Sequence, residues 1–262
     1  MSRRRKVQAQ IEQAHLKFLN QTAVACSSSS KIQTSKFIKP ATVHQKQFVK
    51  SIKQNQLTIG TGLAGSGKTL MALFTGVQLM NNPESPIEKL VYIRSAVDTK
   101  EEKDILGILP GGINEKLTSL TYPLYDNCQL FMDKESIDYK LESGVFEVVP
   151  MNVLRGRSYN NCFIILDECQ NTSSSALKTA LTRVSETSKI VIIGDSTQCD
   201  KASSNSFNNG LLDLEYRVYK KLEQYKLEEK ECPINIGLIK FGMEDVVRSQ
   251  LTKFAIELYD LD

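Results

Sequence analysis

Residues 57–69 read Leu57-Thr58-Ile59-Gly60-Thr61-Gly62-Leu63-Ala64-Gly65-Ser66-Gly67-Lys68-Thr69. A short apolar, partly β-branched run passes into a glycine-rich loop, and the amphipathic stretch from Thr69 to about Met80 has helical spacing. Residues 62–69 fit the pattern G-x-x-x-x-G-K-[ST] in the strand–loop–helix context that the pattern requires. Each residue type has a chemical reason. Gly62, Gly65 and Gly67 let the backbone take positive φ, so the N–H groups of Ala64, Ser66 and their neighbours can turn towards phosphate oxygens. The following helix aims the positive end of its dipole at the same phosphates. Lys68 supplies a point charge to the β- and γ-phosphates, and the Thr69 hydroxyl can ligate Mg²⁺.

Further along, Cys162-Phe163-Ile164-Ile165-Leu166 reads as a buried strand ending in Asp167-Glu168. A carboxylate at such a tip can hold Mg²⁺ through water, here Asp167, and the adjacent Glu168 is placed to polarise an attacking water as general base. A third strand, Lys189–Ile193, leads into Gly194-Asp195-Ser196-Thr197-Gln198, where Gln198 is the natural γ-phosphate sensor. Other strands are expected near Leu57–Thr61, Leu90–Arg94, Phe146–Val149 and Ile236–Ile239. Helices are expected from about Ser174 to Val184 and from near Glu244, the latter with Val247, Leu251, Phe254, Ala255 and Leu258 on one face. Continuous apolar strands between helices imply a mainly parallel sheet covered on both faces. The stretch from about Lys100 to Lys140 has weaker periodicity and reads as an excursion from that core.

The chain has 262 residues, 33 Lys+Arg against 30 Asp+Glu, and 41% hydrophobic residues, ordinary values for a globular protein. No apolar run approaches the ~18 residues needed to span a bilayer. The basic start, Met1-Ser2-Arg3-Arg4-Arg5-Lys6, is not followed by the apolar segment of a secretory signal. None of Cys26, Cys128, Cys162, Cys169, Cys199 and Cys232 forms a C-x-x-C pair, so reduced thiols in a cytoplasm are the simplest account. The two histidines, His15 and His44, both lie near the N-terminus, which leaves no parts for a Ser-His-Asp or histidine-rich metal site in the main body. Residues 1–50 hold ten Lys/Arg and one acid, Glu12, against a mildly acidic remainder. A basic arm on an acidic body suggests a polyanion partner. Residues 1–24 have approximate helical spacing, and the serine run 27–30 reads as a linker. Tyr and Phe are not visibly interleaved with the basic runs as stacking platforms.

Together these segments resemble the PhoH-like family of P-loop ATPases, related to superfamily 1 helicase motors. The resemblance covers roughly residues 40–260. It includes Ile93-Arg94-Ser95-Ala96-Val97, Leu106-Gly107-Ile108-Leu109-Pro110-Gly111, Tyr122-Pro123-Leu124-Tyr125-Asp126 and Leu154-Arg155-Gly156-Arg157-Ser158. It continues through Asp167-Glu168-Cys169-Gln170-Asn171, Leu181-Thr182-Arg183, Gly194–Asp200 and Asp245-Val246-Val247-Arg248. The sequence departs from the family pattern at Leu63 and Ser95, where Pro is usual, and at Ser66 and Ser249.

The resemblance implies an α/β fold, a three-layer P-loop NTPase of the RecA and superfamily 1 helicase kind with a mainly parallel central sheet. It implies an ATPase domain over 40–262, and the charge and serine run make residues 1–39 a basic helix and linker arm. It makes Gln45 an adenine-reading glutamine and adds weight to Gln198 as sensor. It implies ATP and Mg²⁺ as ligands, and a homo-oligomer, a hexameric ring in which an arginine of one subunit reaches its neighbour's nucleotide. Arg248, Arg183, Arg155 and Arg157 are the candidates for that arginine. Single-stranded RNA, or DNA, is the implied partner, with no membrane. Short single-domain members are familiar in bacteriophages, which would make the cytoplasm that of a host. Two other classes share the motif: a nucleotide-gated assembly protein with slow turnover, and a P-loop small-molecule kinase, against which the Asp167-Glu168 pair and the Gly194–Gln198 segment argue.

Overall fold

The strand at residues 57–62 and that at 162–167 are buried at every position, so successive side chains on both faces of the sheet need cover. The computed structural model describes residues 32–94, 113–151, 154, 156–195, 209–247 and 250–259, with the backbone alone for 113–119, 256, 257 and 259. In chain order the elements are α1 (Val43–Gln54), β1 (Leu57–Gly62), α2 (Lys68–Met80), β2 (Lys89–Arg94), α3 (Ile113–Cys128), α4 (Lys134–Glu142) and β3 (Phe146–Pro150). There follow β4 (Cys162–Asp167), a 3-10 turn (Cys169–Asn171), α5 (Ser174–Leu181), β5 (Lys189–Gly194), α6 (Gly210–Leu227) and β6 (Ile236–Phe241). A second 3-10 turn (Met243–Asp245) and α7 (Gln250–Tyr259) complete the order.

The strands form one sheet in the order β3-β2-β4-β5-β1-β6, and every pair is parallel. All six carboxyl ends therefore lie along one edge, where ligands of open α/β sheets bind. Period-two alternation sorts each strand's side chains. Leu90, Tyr92, Phe163, Ile165, Val191 and Ile193 face a core shared with Phe48 of α1, Leu73 and Val77 of α2 and Leu124 of α3. Ile59, Val91, Ile93, Ile164, Leu166 and Ile192 face the opposite core, with Leu177 of α5 and Leu211 and Val218 of α6.

All six expected strands are present, each within a few residues of its predicted bounds. Four helices that periodicity does not single out are also present. Helix α1 has a narrow stripe, Phe48 and Ile52, among Lys and Gln. Helix α3 carries Pro123 inside it, α4 has 9 residues, and α6 spreads Tyr and Lys around a thin apolar side. Each is stabilised mainly by packing on the sheet, which local pattern does not report. The expected last helix from Glu244 is instead a 3-10 turn at Met243–Asp245 followed by α7 from Gln250. Helix α5 stops at Leu181, short of the expected Val184. Residues 32–38, part of the arm in the sequence reading, lie against the body: Ile32 exchanges backbone hydrogen bonds with the Asn81 side chain, and Phe37 meets Phe74 edge to face.

Helix α2 lies close over β4. A Cβ added at Gly76 would fall 2.6 Å from Cε1 of the fully buried Phe163 ring. Glycine inside a helix costs about 1 kcal/mol against alanine, so its presence here reflects that approach. Gly76→Ala should therefore lower stability, by about 1 kcal/mol net, because overpacking costs ~1–3 kcal/mol and exceeds the propensity gain. Urea denaturation would show the midpoint falling; a rise would mean that the ring retreats freely.

Candidate active site

Residues Gly62 to Thr69 leave the tip of β1 and enter α2. Gly62, Gly65 and Gly67 have φ of 132°, 82° and 80°, values that side chains rarely tolerate. At Gly62 a Cβ would also strike the Phe241 carbonyl on β6. Gly67 is the N-cap of α2 and brings no capping side chain, an arrangement that leaves first-turn N–H groups for an anion.

The loop is held from several sides. Gln45 Nε2 donates to Ser66 O at 2.9 Å. Ala64 N–H donates to Asp195 Oδ2 at 2.9 Å, and Val247 N–H to Gly65 O at 3.3 Å. Lys68 Nζ turns back and donates to Gly62 O, Leu63 O and Ser66 Oγ at 2.6, 2.8 and 3.1 Å. Burial pulls the Lys68 pKa below its usual value, although Asp195, Asp167, Glu168 and Asp245 all act in the other direction. Nearby carboxylates thus favour the ammonium form that a phosphate would meet.

Period-two alternation points Asp167 to the α2 side of the sheet, as it does Phe163 and Ile165. Thr69, in the first turn of α2, donates from Oγ1 to Asp167 Oδ2 at 3.1 Å. Tyr92, on β2 and fully buried, donates its hydroxyl to the same oxygen. The Glu168 N–H takes the other oxygen at 3.0 Å. Burial raises the Asp167 pKa, and the Tyr92, Glu168 and Thr69 donors oppose that shift.

Glu168 sits in the left-handed region with φ of 56°, a strained position for a side-chain-bearing residue that costs on the order of 1 kcal/mol. Its carboxylate accepts from Gln170 Nε2 at 2.7 Å. The other end of that amide, Gln170 Oε1, accepts the Asp195 N–H at 3.1 Å. The turn after β4 is thereby tied to the tip of β5. A further latch joins α1 to the turn after β6: His44 Nδ1 lies 2.8 Å from Asp245 Oδ2. Burial alone would raise the Asp245 pKa, but the Thr42 hydroxyl, the Gly242 N–H and the His44 ring together hold it below the usual carboxylate range.

A cleft of about 410 Å³ collects Ala64, Gly65, Gly67, Lys68, Thr69, Asp167 and Glu168 from the expected set, together with Asp195 and Val247. Gly62 and Ser66 of the loop, and Gln45, are not among the lining residues. The Gln45 amide is engaged at both ends, by the Ala41 N–H at 2.7 Å and by Ser66 O, and its side chain is buried. Gln198, Arg155 and Arg248 lie outside the described residues. Arg157 makes a two-pronged pair with Glu147 of its own chain at 2.7 and 3.0 Å, and Lys89 joins that carboxylate at 2.6 Å. Arg183 is half-buried just beyond α5.

The donor set fits Mg²⁺: a hydroxyl and a carboxylate, both hard oxygen groups, meet at the mouth of the phosphate loop. Thr69 and Asp167 would hold such an ion, which would supply positive charge against the phosphates. Tyr92, Gln170 and Asp195 escape a linear reading. Asp195 and Gln170 lie inside quoted motifs without assigned roles, and Tyr92 looks like an ordinary strand residue.

A phosphate loop on β1, with a carboxylate two strands away in the sheet, defines a P-loop NTPase of the α/β class. The chain belongs to the PhoH-like protein family, whose model matches residues 37–260. It is 32% identical over 231 residues to a PhoH-like protein of Synechocystis, covering 88% of this chain and 65% of that one. Against the PhoH-like protein of Bacillus subtilis it is 34% identical over 225 residues, covering 86% and 65%. Against Protein PhoH of Escherichia coli it is 31% identical over 217 residues, covering 82% and 56%. The chain thus spans between about half and two thirds of the length of these curated relatives. Among solved structures, a large terminase from a thermophilic bacteriophage, in complex with ADP, overlaps loosely. The TM-score is 0.40 at 16% identity, over 82% of this chain and 49% of that one.

Replacing Tyr92 by Phe keeps the ring and removes one donor to Asp167. Because that donor holds the Asp167 pKa down, the variant's carboxylate ionises only at higher pH. The acid limb of Mn²⁺-dependent ADP binding should move up in pH, with metal-free ADP binding unchanged. Fluorescence titration of a labelled ADP across pH measures both, and coincident profiles would reduce Tyr92 to a core residue.

Proposed function

We propose that this chain is an Mg²⁺-dependent ATPase whose turnover is coupled to single-stranded nucleic acid, RNA above all, and that it works as a helicase-like homo-oligomeric ring. The observation that carries the ATPase reading is the Thr69–Asp167 hydrogen bond at the mouth of the loop, with Lys68 and Glu168 in the same cleft. Lys68 meets the β- and γ-phosphates. Thr69 and Asp167 hold the ion. Glu168, oriented by Gln170, takes a proton from the attacking water as the new P–O bond forms and the β–γ bridge bond breaks, leaving ADP and phosphate. Gln198 reports the γ-phosphate.

An apolar stripe supports the homo-oligomer. Val247, Leu251, Phe254 and Leu258 are 51%, 73%, 61% and 52% exposed, and Val247 also borders the cleft. Exposed apolar stripes of this kind mark protein contacts. A second copy laid on α7 would abut the nucleotide, where an arginine such as Arg248 or Arg183 could neutralise charge on the transferred phosphoryl group. The basic N-terminal arm supports a polyanion partner. A reading as a nucleotide-gated assembly protein shares the stripe and differs in predicting turnover indifferent to nucleic acid.

Lys68→Ala should abolish nucleotide binding or turnover, and Glu168→Gln should keep ATP binding while stopping hydrolysis. Phosphate release and nucleotide titration on the same samples test both, and wild-type turnover by Glu168→Gln would sink the general-base role. Phe254→Glu should shift the particle mass towards the monomer in mass photometry; an unchanged mass distribution would remove α7 from the subunit contact.

A further inference from the structure

We propose that the outward face of α6 is a docking track for single-stranded nucleic acid, with Tyr216 and Tyr219 as base-stacking platforms and Lys220 and Lys221 as phosphate contacts. The inference rests on the nucleic-acid half of the reading above and assigns it a surface.

Read along the chain, residues 214–226 mix apolar, aromatic and charged types without order. The helix sorts them. Leu211 and Val218 are buried, with Leu214 and Leu222 packed beside them. Tyr216 and Tyr219 emerge on the other side, 57% and 58% exposed. That corrects the expectation that no aromatic residue is interleaved with basic ones: Tyr216-Arg217 and Tyr219-Lys220-Lys221 form one mixed surface. The ammonium of Lys220 stands 4.7 Å from the Tyr216 ring centre, and that of Lys221 stands 4.8 Å from the Tyr225 ring centre. Cation and π-face thus occur side by side, the pairing that lets a strand stack its bases while its phosphates meet positive charge.

The charge balance favours a polyanion over an acidic or neutral partner. Each carboxylate of α6 is already engaged. Asp213 holds Arg217 at 2.8 Å, Glu215 turns inward to accept the Thr61 hydroxyl at 2.7 Å, and Glu223 accepts from Tyr219. Among the described residues neither Lys220 nor Lys221 forms an ion pair, although Lys221 donates to Gln224 at 3.0 Å. The face therefore offers two lysine ammoniums that no carboxylate of the helix pairs, beside two half-exposed rings.

Its place in the fold gives binding a route to the chemistry. Helix α6 begins where the turn after Glu168 ends, with Gly210 N–H donating to Thr172 O at 2.9 Å. A Cβ at Gly210 would collide with that same carbonyl. One turn later, Glu215 is bonded to Thr61, the residue before Gly62 of the phosphate loop. A strand gripping α6 pulls on an element joined to both sides of the cleft.

The test uses the full chain and a fluorescein-labelled single-stranded oligoribonucleotide, with anisotropy read over a salt series and ATP turnover and particle mass measured on the same samples. Wild type should bind. The Tyr216→Ala, Tyr219→Ala double variant should bind about 10-fold more weakly or worse, while the corresponding Phe pair keeps its affinity. The Lys220→Gln, Lys221→Gln pair should flatten the plot of log affinity against log salt by about 1. Basal ATP turnover without RNA should be unchanged in every variant, which also reports intact folding. Wild-type affinity in the Tyr216→Ala, Tyr219→Ala variant would overturn the docking track and leave the nucleic-acid reading standing. Loss of binding that follows a fall in particle mass would overturn it in favour of a subunit contact. Failure of wild type to bind RNA would overturn the nucleic-acid reading itself, and the track with it.

Discussion

The hydrogen bond from Thr69 to Asp167 joins two elements that are not neighbours in the sheet. Strand β5 separates β1 from β4, so the phosphate loop and the acidic tip would stand apart if each kept to its own strand. Helix α2 closes the gap by lying across the sheet, close enough over β4 for Gly76 to touch Phe163. Its first turn then arrives above Asp167. A carboxylate in that position has lost most of its water, and removing a charge from water is costly unless donors replace it. Tyr92, Thr69 and the Glu168 N–H are those donors. The burial of one acid therefore dictates what β2, α2 and the following turn must supply.

The loop itself is preorganised. Gln45 before it, Asp195 beyond β5 and Val247 after β6 each hold one backbone group, and Lys68 spends all three of its donors on the loop and Ser66. A phosphate arriving there competes with existing bonds instead of ordering a floppy segment, so little conformational entropy is lost on binding. The same contacts make the loop a junction. Helix α1, the β5 tip and the segment leading to α7 all meet it. The apolar residues Leu251, Phe254 and Leu258 of α7 and the tyrosines Tyr216 and Tyr219 of α6 are exposed at the surface.

Sequence alone determined the strands, the phosphate loop and the identity of its acidic counterpart. Those features are written in short-range chemistry: continuous apolar runs, glycines where φ must be positive, and a Lys-Thr pair at a helix start. The resemblance extended this to the family. Four helices escaped because their stripes are thin and their stability comes from the sheet beneath them. Tyr92 escaped because a tyrosine in a strand is unremarkable until one knows which face α2 covers. Gln170 and Asp195 lay inside recognised segments, yet their mutual bond requires the tips of β4 and β5 to be adjacent. The tyrosines of α6 were visible as letters and invisible as a surface, since only the helix separates Tyr216 and Tyr219 from Leu211 and Val218. What the sequence determined is therefore the chemistry of each strand and loop. What tertiary structure decided is which groups meet, because strand order and the face taken by each helix are settled by long-range packing that no local pattern encodes.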